Sequence, residues 1–588
     1  MKKLIFSFTI LAVVGVLAYS CSKSFLERKP LGSLDEATLA NKRGVEAMLI
    51  GAYSLLDGTQ RGDVTLGGWE SAGSNWVYGS VAGGDAHKGS DAGDQPAINP
   101  IERFEHNATN PYFDIKWSVC FEGIARANAT LRLLGKATDI GEEDQKRIQG
   151  EAKFLRGHYY FELKRMYNKV PWVDETTENF NVPNDTDIWP NITQDFIDAY
   201  TLLPAVMDAK GRANKWAAAA YLGKVYLYQG MWTEAKNYLD MTYTSGVNAQ
   251  GQKYGLLDRY QDNFNAETKN SKESVFAIQY SVNDGAPDAG NGGWGEVLNF
   301  PYLSGGSPGG CCGFFQPTQD LVNSFQVNAT TGLPDPDNYN AHEVKNDEGL
   351  EEDDPFTPET GTLDPRLDWT VGRRGIPFLD WGVVSGKSWV RDQAYSGPYS
   401  AKKNTYYKSQ QGLLTDKSFW TSGVTANNYT IIRFADVILM LAEAEAQLGN
   451  LDRAQDLVNE VRARAAKPAS WVMNGAVPAA NYKVGLYTAP WTSKEEALKD
   501  IYFERKIELG MEGHRFFDLV RWGIAEQTLN KYFNYVSGVT DPNMNNKRLY
   551  LKGAKFTAGK NEYFPIPQAQ IDLSTTQGAA VLSQNPNY

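Results

Sequence analysis

The sequence predicts a mainly α-helical fold, in which a tetratricopeptide-like scaffold of helical hairpins carries a large, irregular, loop-rich lobe with short strands. Two stretches, residues 217–240 and 431–466, share one pattern of small and apolar residues, which predicts two similar hairpins. Between them, residues 251–425 are broken by Gly, Pro and Asp clusters, which predicts the lobe. With 42% hydrophobic residues among 588, the chain can bury a large core.

The stretch at residues 431–466 has the clearest hairpin pattern. Apolar residues recur at helical spacing on both sides of Gly449: Phe434, Val437, Ile438, Leu441, Leu448, Ala454, Leu457, Val458 and Val461. Alanines between residues 442 and 446 allow a second helix to approach closely, and Gly449 supplies the left-handed residue that ends the first helix. Neither helix can bury its apolar stripe alone, so we expect other helices to pack against both.

A second stretch, residues 217–240, repeats this spacing. Its Gly223, Gly230 and Ala235 lie seven and five residues apart, and the same intervals separate residues 442, 449 and 454 of the other hairpin. Two such hairpins, each preceded by other amphipathic helices, predict a helical solenoid assembled from pairs that are distant in sequence.

Amphipathic periodicity predicts further helices before and after the hairpins. They cover residues 45–56, 112–134, 141–167, 193–203, 494–509 and 514–522. A capping box of Ser493 and Glu496 opens the helix at residue 494, and Gly510 suits its exit. In the lobe, the alternating residues of Ser274–Tyr280 predict a strand.

The N-terminus has the pattern of a signal peptide. Lys2 and Lys3 precede an apolar run that ends at Leu17, and Cys21 follows a small residue. Bacterial lipoproteins are cleaved and acylated at such a cysteine, so we expect Cys21 to be the lipidated mature N-terminus. The alternative is ordinary secretion with an incidental cysteine, because Ala18 departs from the usual lipobox.

These patterns divide the chain into a signal peptide at residues 1–20, a lipidated stem at residues 21–44 and one domain at residues 45–588. Within the domain, we expect the helical scaffold at about residues 45–250 and 426–588, and the loop-rich lobe at about residues 251–425. No later apolar run approaches the roughly 20 residues that span a bilayer. A lipid anchor is therefore the only membrane contact that we expect.

Charge balance and missing catalytic patterns exclude several function classes. The 70 acidic residues outnumber the 58 basic ones, and no basic cluster alternates with aromatic residues, so we expect no nucleic-acid binding. The five histidines lack metal-ligand spacing, and the chain has neither a nucleophile elbow nor a Walker loop. We expect no cofactor. A structural calcium ion at Asp335, Asp337 and Asn338 is an alternative without the EF-hand spacing to support it.

The cysteines after residue 21 fall into two groups. Cys120 lies on the apolar face of a predicted helix, where an inert buried thiol is expected. Cys311 and Cys312 are adjacent, and the glycines around them leave the backbone room to close a vicinal disulfide in an oxidising compartment. Two free thiols in a glycine loop remain an equal alternative.

Taken together, the motifs of the chain resemble those of the SusD/RagB family of Bacteroidetes outer-membrane lipoproteins. The resemblance covers nearly the whole chain. It rests on Cys21 with Phe25-Leu26-Glu27 and Pro30, on residues 151–171, 219–235 and 431–466, on Glu504-Arg505, Glu508 and residues 513–522, and on Phe564-Pro565-Ile566-Pro567 with Asn585-Pro586.

This resemblance implies a non-catalytic, cell-surface protein for glycan uptake. Such a protein is anchored by lipid to the outer membrane, faces the cell exterior, and acts as a glycan-binding lid on a SusC-type TonB-dependent transporter. The resemblance also implies that Asp85 lies in a segment near the binding face.

A sugar-binding site needs flat apolar groups for the ring faces and polar groups for the hydroxyls. The glycine-rich settings of Trp76 and Trp294 make these residues the candidate stacking platforms. The candidate partners for the sugar hydroxyls are Asp57, Asp85 and Arg374. Two further candidate contact surfaces are Tyr395 and, if it forms a disulfide, the Cys311-Cys312 pair. The competing interpretation is that each Trp is buried in the core.

Neutral oligosaccharides or polysaccharides, such as β-glucans or fructans, fit the modest acidity of the chain. Two alternative functions stay open at this point. One is a protein–protein scaffold with no glycan site, and the other is a glycoside hydrolase with paired carboxylates, although no pair of carboxylates is singled out by its pattern.

Overall fold

The computed structural model describes residues 36–59, 68–302, 308–309, 311–418, 421, 423–542, 544, 547–575 and 578–588. This part of the chain contains seventeen α-helices and eight short strands, so the predicted mainly helical fold is confirmed. The predicted signal peptide and the lipidation site Cys21 lie outside the described residues.

Eight helices precede the lobe. Their bounds are α1 Glu36–Leu39, α2 Lys42–Ser54, α3 Asn99–Glu102, α4 Pro111–Leu134, α5 Glu142–Tyr167, α6 Trp189–Leu202, α7 Lys215–Tyr228 and α8 Trp232–Ser245. Neighbours in this series pack side by side from α4 to α8, and α2 packs on α4. Asn residues open three of these helices, since Asn41, Asn110 and Asn214 each accept a backbone N–H with the side chain.

The lobe contains short elements joined by loops. They are β2 Ser274–Ile278, β3 Phe314–Pro317, α9 Gln319–Asn323, α10 Leu367–Thr370, β4 Val371–Gly372, α11 Gln393–Ser396 and β5 Ser400–Ala401. Strand β3 pairs antiparallel with β1 Ala86–Gly89, which precedes α3 in the chain, and β4 pairs with β5. The predicted strand at residues 274–280 is therefore confirmed over its first five residues.

The last part of the chain returns to helices. Its elements are β6 Tyr429–Arg433, α12 Phe434–Gln447, α13 Leu451–Ala466, β7 Met473–Asn474, β8 Val477–Pro478, α14 Lys494–Leu509, α15 Arg515–Arg521, α16 Ala525–Val536 and α17 Gln568–Leu573. Strand β6 pairs antiparallel with β2, and the short strands β7 and β8 form a hairpin.

Both predicted hairpins are present, as α7–α8 and α12–α13. Gly230 and Gly449 adopt the left-handed backbone with φ of 69° and 85°, which ends the first helix of each pair. Helix α8 packs against α12, so the two hairpins form one continuous array although the lobe separates them in sequence. One boundary was wrong: Ile431 and Ile432 belong to strand β6, and the helix begins at Phe434.

The capping box at α14 differs in detail from the prediction. The Ser493 hydroxyl accepts the Glu496 N–H at 3.1 Å, as expected. The Glu496 carboxylate instead accepts the N–H and the hydroxyl of Thr492, at 2.9 and 2.8 Å. Side chains still accept backbone N–H groups at the start of the helix. The bond from the Glu496 carboxylate goes to Thr492 instead of Ser493.

Buried ion pairs join the lobe to the scaffold. The carboxylate of Glu508 on α14 accepts hydrogen bonds from Arg366 of the lobe at 2.8 Å, from Arg433 of β6 at 2.6 Å, and from Arg464 of α13. Glu273, just before β2, pairs with Arg433 and Arg464. Burial disfavours the charge on Glu508, but the three guanidinium groups hold its pKa well below the usual range.

None of the helices in the described ranges combines the length and the apolar composition that a bilayer crossing requires.

Candidate functional site

The two tryptophans predicted as stacking platforms are buried in the core. Trp76 and Trp294 are each 1% exposed. The edges of Phe314 and Phe315 meet the Trp76 ring at centroid distances of 6.2 and 5.7 Å, and the Trp294 indole N–H donates to the Ala289 carbonyl at 3.1 Å. The prediction that these rings are open to a ligand was therefore wrong, and the competing core interpretation is correct.

The glycines around these tryptophans serve close packing rather than exposure. A Cβ atom at Gly79 would lie 1.8 Å from the Gly513 carbonyl oxygen, and one at Gly68 would lie 3.3 Å from Cβ of Trp294. Without side chains, the backbone of this segment can approach the core closely. This packing is the physical reason why a glycine-rich, aromatic stretch folds inward.

Asp57 and Asp85 are engaged inside the protein. Asp57 accepts the N–H of Thr59 at 2.7 Å and also its hydroxyl. Asp85 is 1% exposed; its Oδ2 accepts the Met511 N–H at 3.3 Å, and Oδ1 has no partner among the described residues. Burial raises the pKa of each carboxyl to about 6. Asp85 is therefore no surface partner for a sugar hydroxyl, and the Asp57 carboxylate is occupied by its own turn.

Arg374 organises a loop instead of facing solvent. Its guanidinium donates to the carbonyls of Glu351, Glu352 and Asp354 at 3.0, 2.5 and 2.8 Å, and the residue is 7% exposed. The acidic stretch at residues 346–355 thus wraps around Arg374 while residues 351–355 remain exposed. The prediction that Arg374 binds a ligand hydroxyl was wrong in this structure.

Cys311 and Cys312 are joined by a disulfide in the structure. The pair lies beside residues 298–302: the Cys312 N–H donates to the Leu298 carbonyl at 3.0 Å, and the Gly313 N–H donates to the Phe300 carbonyl at 2.9 Å. Cys312 is 8% exposed and Cys311 is half-buried. The disulfide therefore reaches the surface through Cys311.

An aromatic and charged patch lies beside Gly313, the residue that follows the disulfide, because a Cβ atom at Gly313 would lie 3.5 Å from Cβ of Tyr302 and 3.7 Å from Cβ of Arg391. We call it the disulfide face and define it as Asp91, Asp94, Tyr302, Cys311 and Arg391. The Arg391 guanidinium lies 5.5 Å from the Tyr302 ring centroid and forms ion pairs with Asp91 at 2.8 Å and with Asp94 at 2.5 Å. These three charged side chains are each about one-third exposed. The face thus offers a ring, a guanidinium and two carboxylates to solvent.

A tight turn fixes the positions of the two carboxylates of the disulfide face. Asp91 Oδ1 accepts the N–H groups of Gly93 and Asp94 at 2.8 and 3.0 Å. Although burial opposes the charge, these bonds and Arg391 lower the pKa of Asp91, so it is ionised at neutral pH. The ammonium of Lys88 donates to the carbonyls of Asp91 and Asp94, both at 2.6 Å, and so holds the two ends of the turn together.

Tyr395 lies next to the disulfide face. Lys88 Nζ is 5.2 Å from the Tyr395 ring centroid, and the half-buried ring stacks on Tyr550 at 4.5 Å. The Tyr395 hydroxyl donates to Asn99 Oδ1 at 2.7 Å. Of the eight predicted residues, the structure thus brings Cys311, Cys312 and Tyr395 to one region, and it places Trp76, Asp85, Trp294 and Arg374 in the interior.

A further aromatic residue approaches the same loop. Trp381 is half-buried and donates its indole N–H to the Tyr406 carbonyl at 3.0 Å, and the Tyr406 hydroxyl accepts the Gly309 N–H at 2.8 Å. Sequence reasoning missed Tyr302, Arg391 and the two aspartates. The available signal was an aromatic residue before the glycine-rich stretch that leads to adjacent cysteines.

In the described part of the chain, His158 and the acidic residues of the alternative calcium site contact other protein groups. His158 Nδ1 lies 2.6 Å from the Tyr221 hydroxyl, and Asp337 pairs with Lys499 at 2.7 Å. Asp335 accepts the N–H groups of residues 337 and 338, both at 3.1 Å. Among the residues with assigned structure, no group of three or more His, Cys, Asp or Glu side chains is arranged to hold a metal ion.

Comparisons with known proteins point to one family. A family model described as "SusD family" matches residues 272–588, and one described as "Starch-binding associating with outer membrane" matches residues 78–227. A SusD-like protein of Bacteroides ovatus is 24% identical over 602 aligned positions, which cover 96% of this chain and 92% of that protein.

Solved structures share the fold along nearly the whole chain. A laminarin binding SusD-like protein is 25% identical, has a TM-score of 0.63, and covers 93% of this chain and 100% of its own. The surface glycan-binding protein A from Bacteroides thetaiotaomicron, in complex with laminarihexaose, is 20% identical with a TM-score of 0.65, over 93% and 100% of the two chains.

Proposed function

Because the chain belongs to the SusD family, we propose that it binds oligosaccharide or polysaccharide at the cell surface, without catalysis, and delivers it to a SusC-type TonB-dependent transporter. The single observation that carries the glycan-binding part is the disulfide face. It combines the flat groups and the hydroxyl partners that a sugar requires, on a surface open to solvent.

The chemistry of the face suits a neutral sugar. The Tyr302 ring and the disulfide can contact the C–H faces of a pyranose, and the carboxylates of Asp91 and Asp94 can accept its hydroxyls. Arg391 can donate to hydroxyl oxygens, while its charge is already balanced by the two carboxylates. Neutral β-glucan is our first candidate, because structural relatives are described as binding laminarin and laminarihexaose.

The sequence and the family support the proposed location and partner. A second matching family model carries the description of association with the outer membrane, which supports a place at that membrane. We propose that Cys21 provides the lipid anchor and that the helical scaffold, rather than the disulfide face, contacts the transporter.

The direct test is isothermal titration calorimetry of the mature protein with laminarihexaose. We expect micromolar or weaker affinity, a free energy of about −8 kcal/mol or less favourable, because few rings stack and a mobile chain must be ordered. We expect no new reducing ends after prolonged incubation. New reducing ends would support a hydrolase, and neither binding nor cleavage with any of a panel of glycans would leave only a protein–protein scaffold.

The Tyr302→Ala substitution tests the site itself. We expect it to lower the affinity at least tenfold, about 1.4 kcal/mol, because a stacking ring is lost. Tyr302→Phe keeps the ring and should retain most of the affinity. The matched control is Tyr238→Ala on α8 of the scaffold, where a half-buried tyrosine is removed from another surface. Unchanged affinity in Tyr302→Ala would remove the disulfide face from the site.

A further inference from the structure

A second cleft, of about 420 Å³, lies among α14, α15, α16 and the loop at residues 336–340. We call it the basic cleft and define it by the lining residues Asp320, Tyr502, Lys506, Arg515, Lys531 and Tyr532. Its volume is within the range of small-ligand pockets. No residue of the disulfide face lines it.

The basic cleft carries more positive than negative charge, since Asp320 and Asp337 are the acidic residues in its lining. Four cationic side chains line it, and two of them are paired: Lys506 with Asp320 at 2.6 Å, and Lys499 with Asp337 at 2.7 Å. The other two, Arg515 and Lys531, have no ion pair and no side-chain hydrogen bond with any described residue. The cleft is thus locally cationic on a chain whose net charge is −12.

Of the two cations without an ion pair, Arg515 gives the stronger argument for an anionic ligand. It is half-buried, and its guanidinium lies 6.0 Å from the Trp522 ring centroid. Burial raises the pKa of the nearby Asp85 carboxyl, and the charge of Arg515 partly offsets this rise. The Arg515 side chain donates no hydrogen bond to any described residue. Gly83 makes room for its stem, because a Cβ atom at Gly83 would lie 2.9 Å from Cβ of Arg515. A partly buried guanidinium with free donors matches the two oxygens of a carboxylate or a sulfate.

The walls of the cleft add features that suit a sugar. The half-buried Tyr502 lines it, and the Tyr502 ring is held by stacking on Trp522 at 3.7 Å and 15°. Lys506 Nζ also donates to the Tyr339 hydroxyl at 3.1 Å, which donates in turn to Asp320 at 3.0 Å. An aromatic ring and fixed polar groups therefore lie beside the free cations.

We propose that the basic cleft binds an anionic saccharide, through the carboxylate of a uronic acid or a sulfate ester, with Arg515 and Lys531 as the charged contacts. This site differs from the disulfide face in its charge. At the disulfide face, Arg391 is neutralised by two carboxylates, whereas Arg515 and Lys531 of the basic cleft form no ion pair with a described residue. The inference does not depend on the proposed binding of neutral glucan.

Saturation-transfer difference NMR on the mature protein tests this proposal with three probes: D-galacturonate, D-galactose 6-sulfate and D-galactose. We expect millimolar binding of at least one anionic sugar, weaker binding with added salt, and at least fivefold weaker or undetectable binding of galactose. If only one anionic probe binds, that result identifies whether the site recognises a carboxylate or a sulfate ester. The proposal is overturned if neither anionic sugar binds more tightly than galactose.

Substitutions locate the binding. Arg515→Gln and Lys531→Gln should each weaken binding of the anionic sugar at least fivefold, and Lys531 is exposed, so its substitution leaves the fold intact. The matched controls are the exposed residues Arg43 and Lys555, substituted in the same way. Binding of laminarihexaose should not change in any of the four variants. Anionic binding that persists unchanged in both cleft variants would also overturn the assignment.

Discussion

The helical scaffold and the joint between scaffold and lobe are stabilised by different interactions. In the α12–α13 hairpin, the apolar residues at helical spacing are buried; Leu457 and Val458 are fully inaccessible. At the joint, the buried contacts are ion pairs, in which Arg366 of the lobe reaches Glu504 and Glu508 of α14. Removing an apolar side chain from a core leaves a cavity, whereas removing one partner of a buried ion pair leaves an unpaired charge. The two regions should therefore respond differently to substitution and to pH.

Loss of Glu508 should have the largest effect. Glu508→Ala leaves Arg366, Arg433 and Arg464 buried with one carboxylate fewer, and breaking a buried pair costs about 3–5 kcal/mol. Urea unfolding, followed by circular dichroism, measures the change in the free energy of unfolding.

The control for this prediction lies on the same helix. Glu495→Ala removes an exposed carboxylate from the first turn of α14 and should change the free energy of unfolding by about 0.5 kcal/mol or less. A loss below about 1 kcal/mol in Glu508→Ala would show that the joint does not depend on its ion pairs.

Acid should act with opposite sign on two buried groups, one in the scaffold and one in the lobe. Burial lowers the pKa of His158 in the scaffold helix α5 to about 4, so the unfolded chain takes up the proton first and stability is lost as pH falls from about 6.5 to 4. Burial raises the pKa of Asp347 in the lobe to about 6, so the folded chain takes up the proton first and stability is gained between about pH 6 and 4. Each effect is worth up to about 3 kcal/mol.

Two substitutions separate these contributions. Relative to the unsubstituted protein, His158→Gln should become more stable as pH falls from 7 to 4, and Asp347→Asn should become less stable over the same range. Urea titrations of the three proteins at four pH values measure both slopes. Two slopes of the same sign would contradict the opposite pKa shifts of His158 and Asp347.

Two glycine substitutions should differ in their effect on the free energy of unfolding, by less than the two glutamate substitutions above. A Cβ atom at Gly79, in the segment whose strand β1 pairs with the lobe, meets a carbonyl oxygen at 1.8 Å, so Gly79→Ala should cost about 2 kcal/mol or more. Gly449 in the hairpin has open space and needs only its left-handed backbone, so Gly449→Ala should cost about 1 kcal/mol. Thermal unfolding ranks the two, and a reversed order would argue against close backbone packing at Gly79.

The sequence predicted the scaffold well because its information is local. Helical spacing of apolar residues, Gly449 and Ser493 each act within a few residues, and the helices begin and end near the predicted positions. The exposure of Trp76 and Trp294 depends instead on contacts with residues such as Phe315 and Ala289 and on backbone packing against Gly513. No local pattern reports such contacts.

The candidate site was only partly predictable for the same reason. Adjacent cysteines among glycines are a local signal, and the disulfide formed by Cys311 and Cys312 does lie at the surface patch. Arg391 is almost 300 residues away from Asp94 in sequence, so its role at the disulfide face appears only when the fold brings the two together. Charge pairing between segments that are distant in the chain cannot be predicted from local sequence patterns.

The packing of α8 against α12 has a consequence for biogenesis. The two helices touch, but 188 residues lie between Ser245 and Phe434. During synthesis at about 5–20 residues per second, the first hairpin therefore waits roughly 10–40 s for the helix that covers it. Throughout that interval its apolar side is open to wrong partners, so folding of this chain should benefit from a holding chaperone that covers α8 until the second hairpin is made.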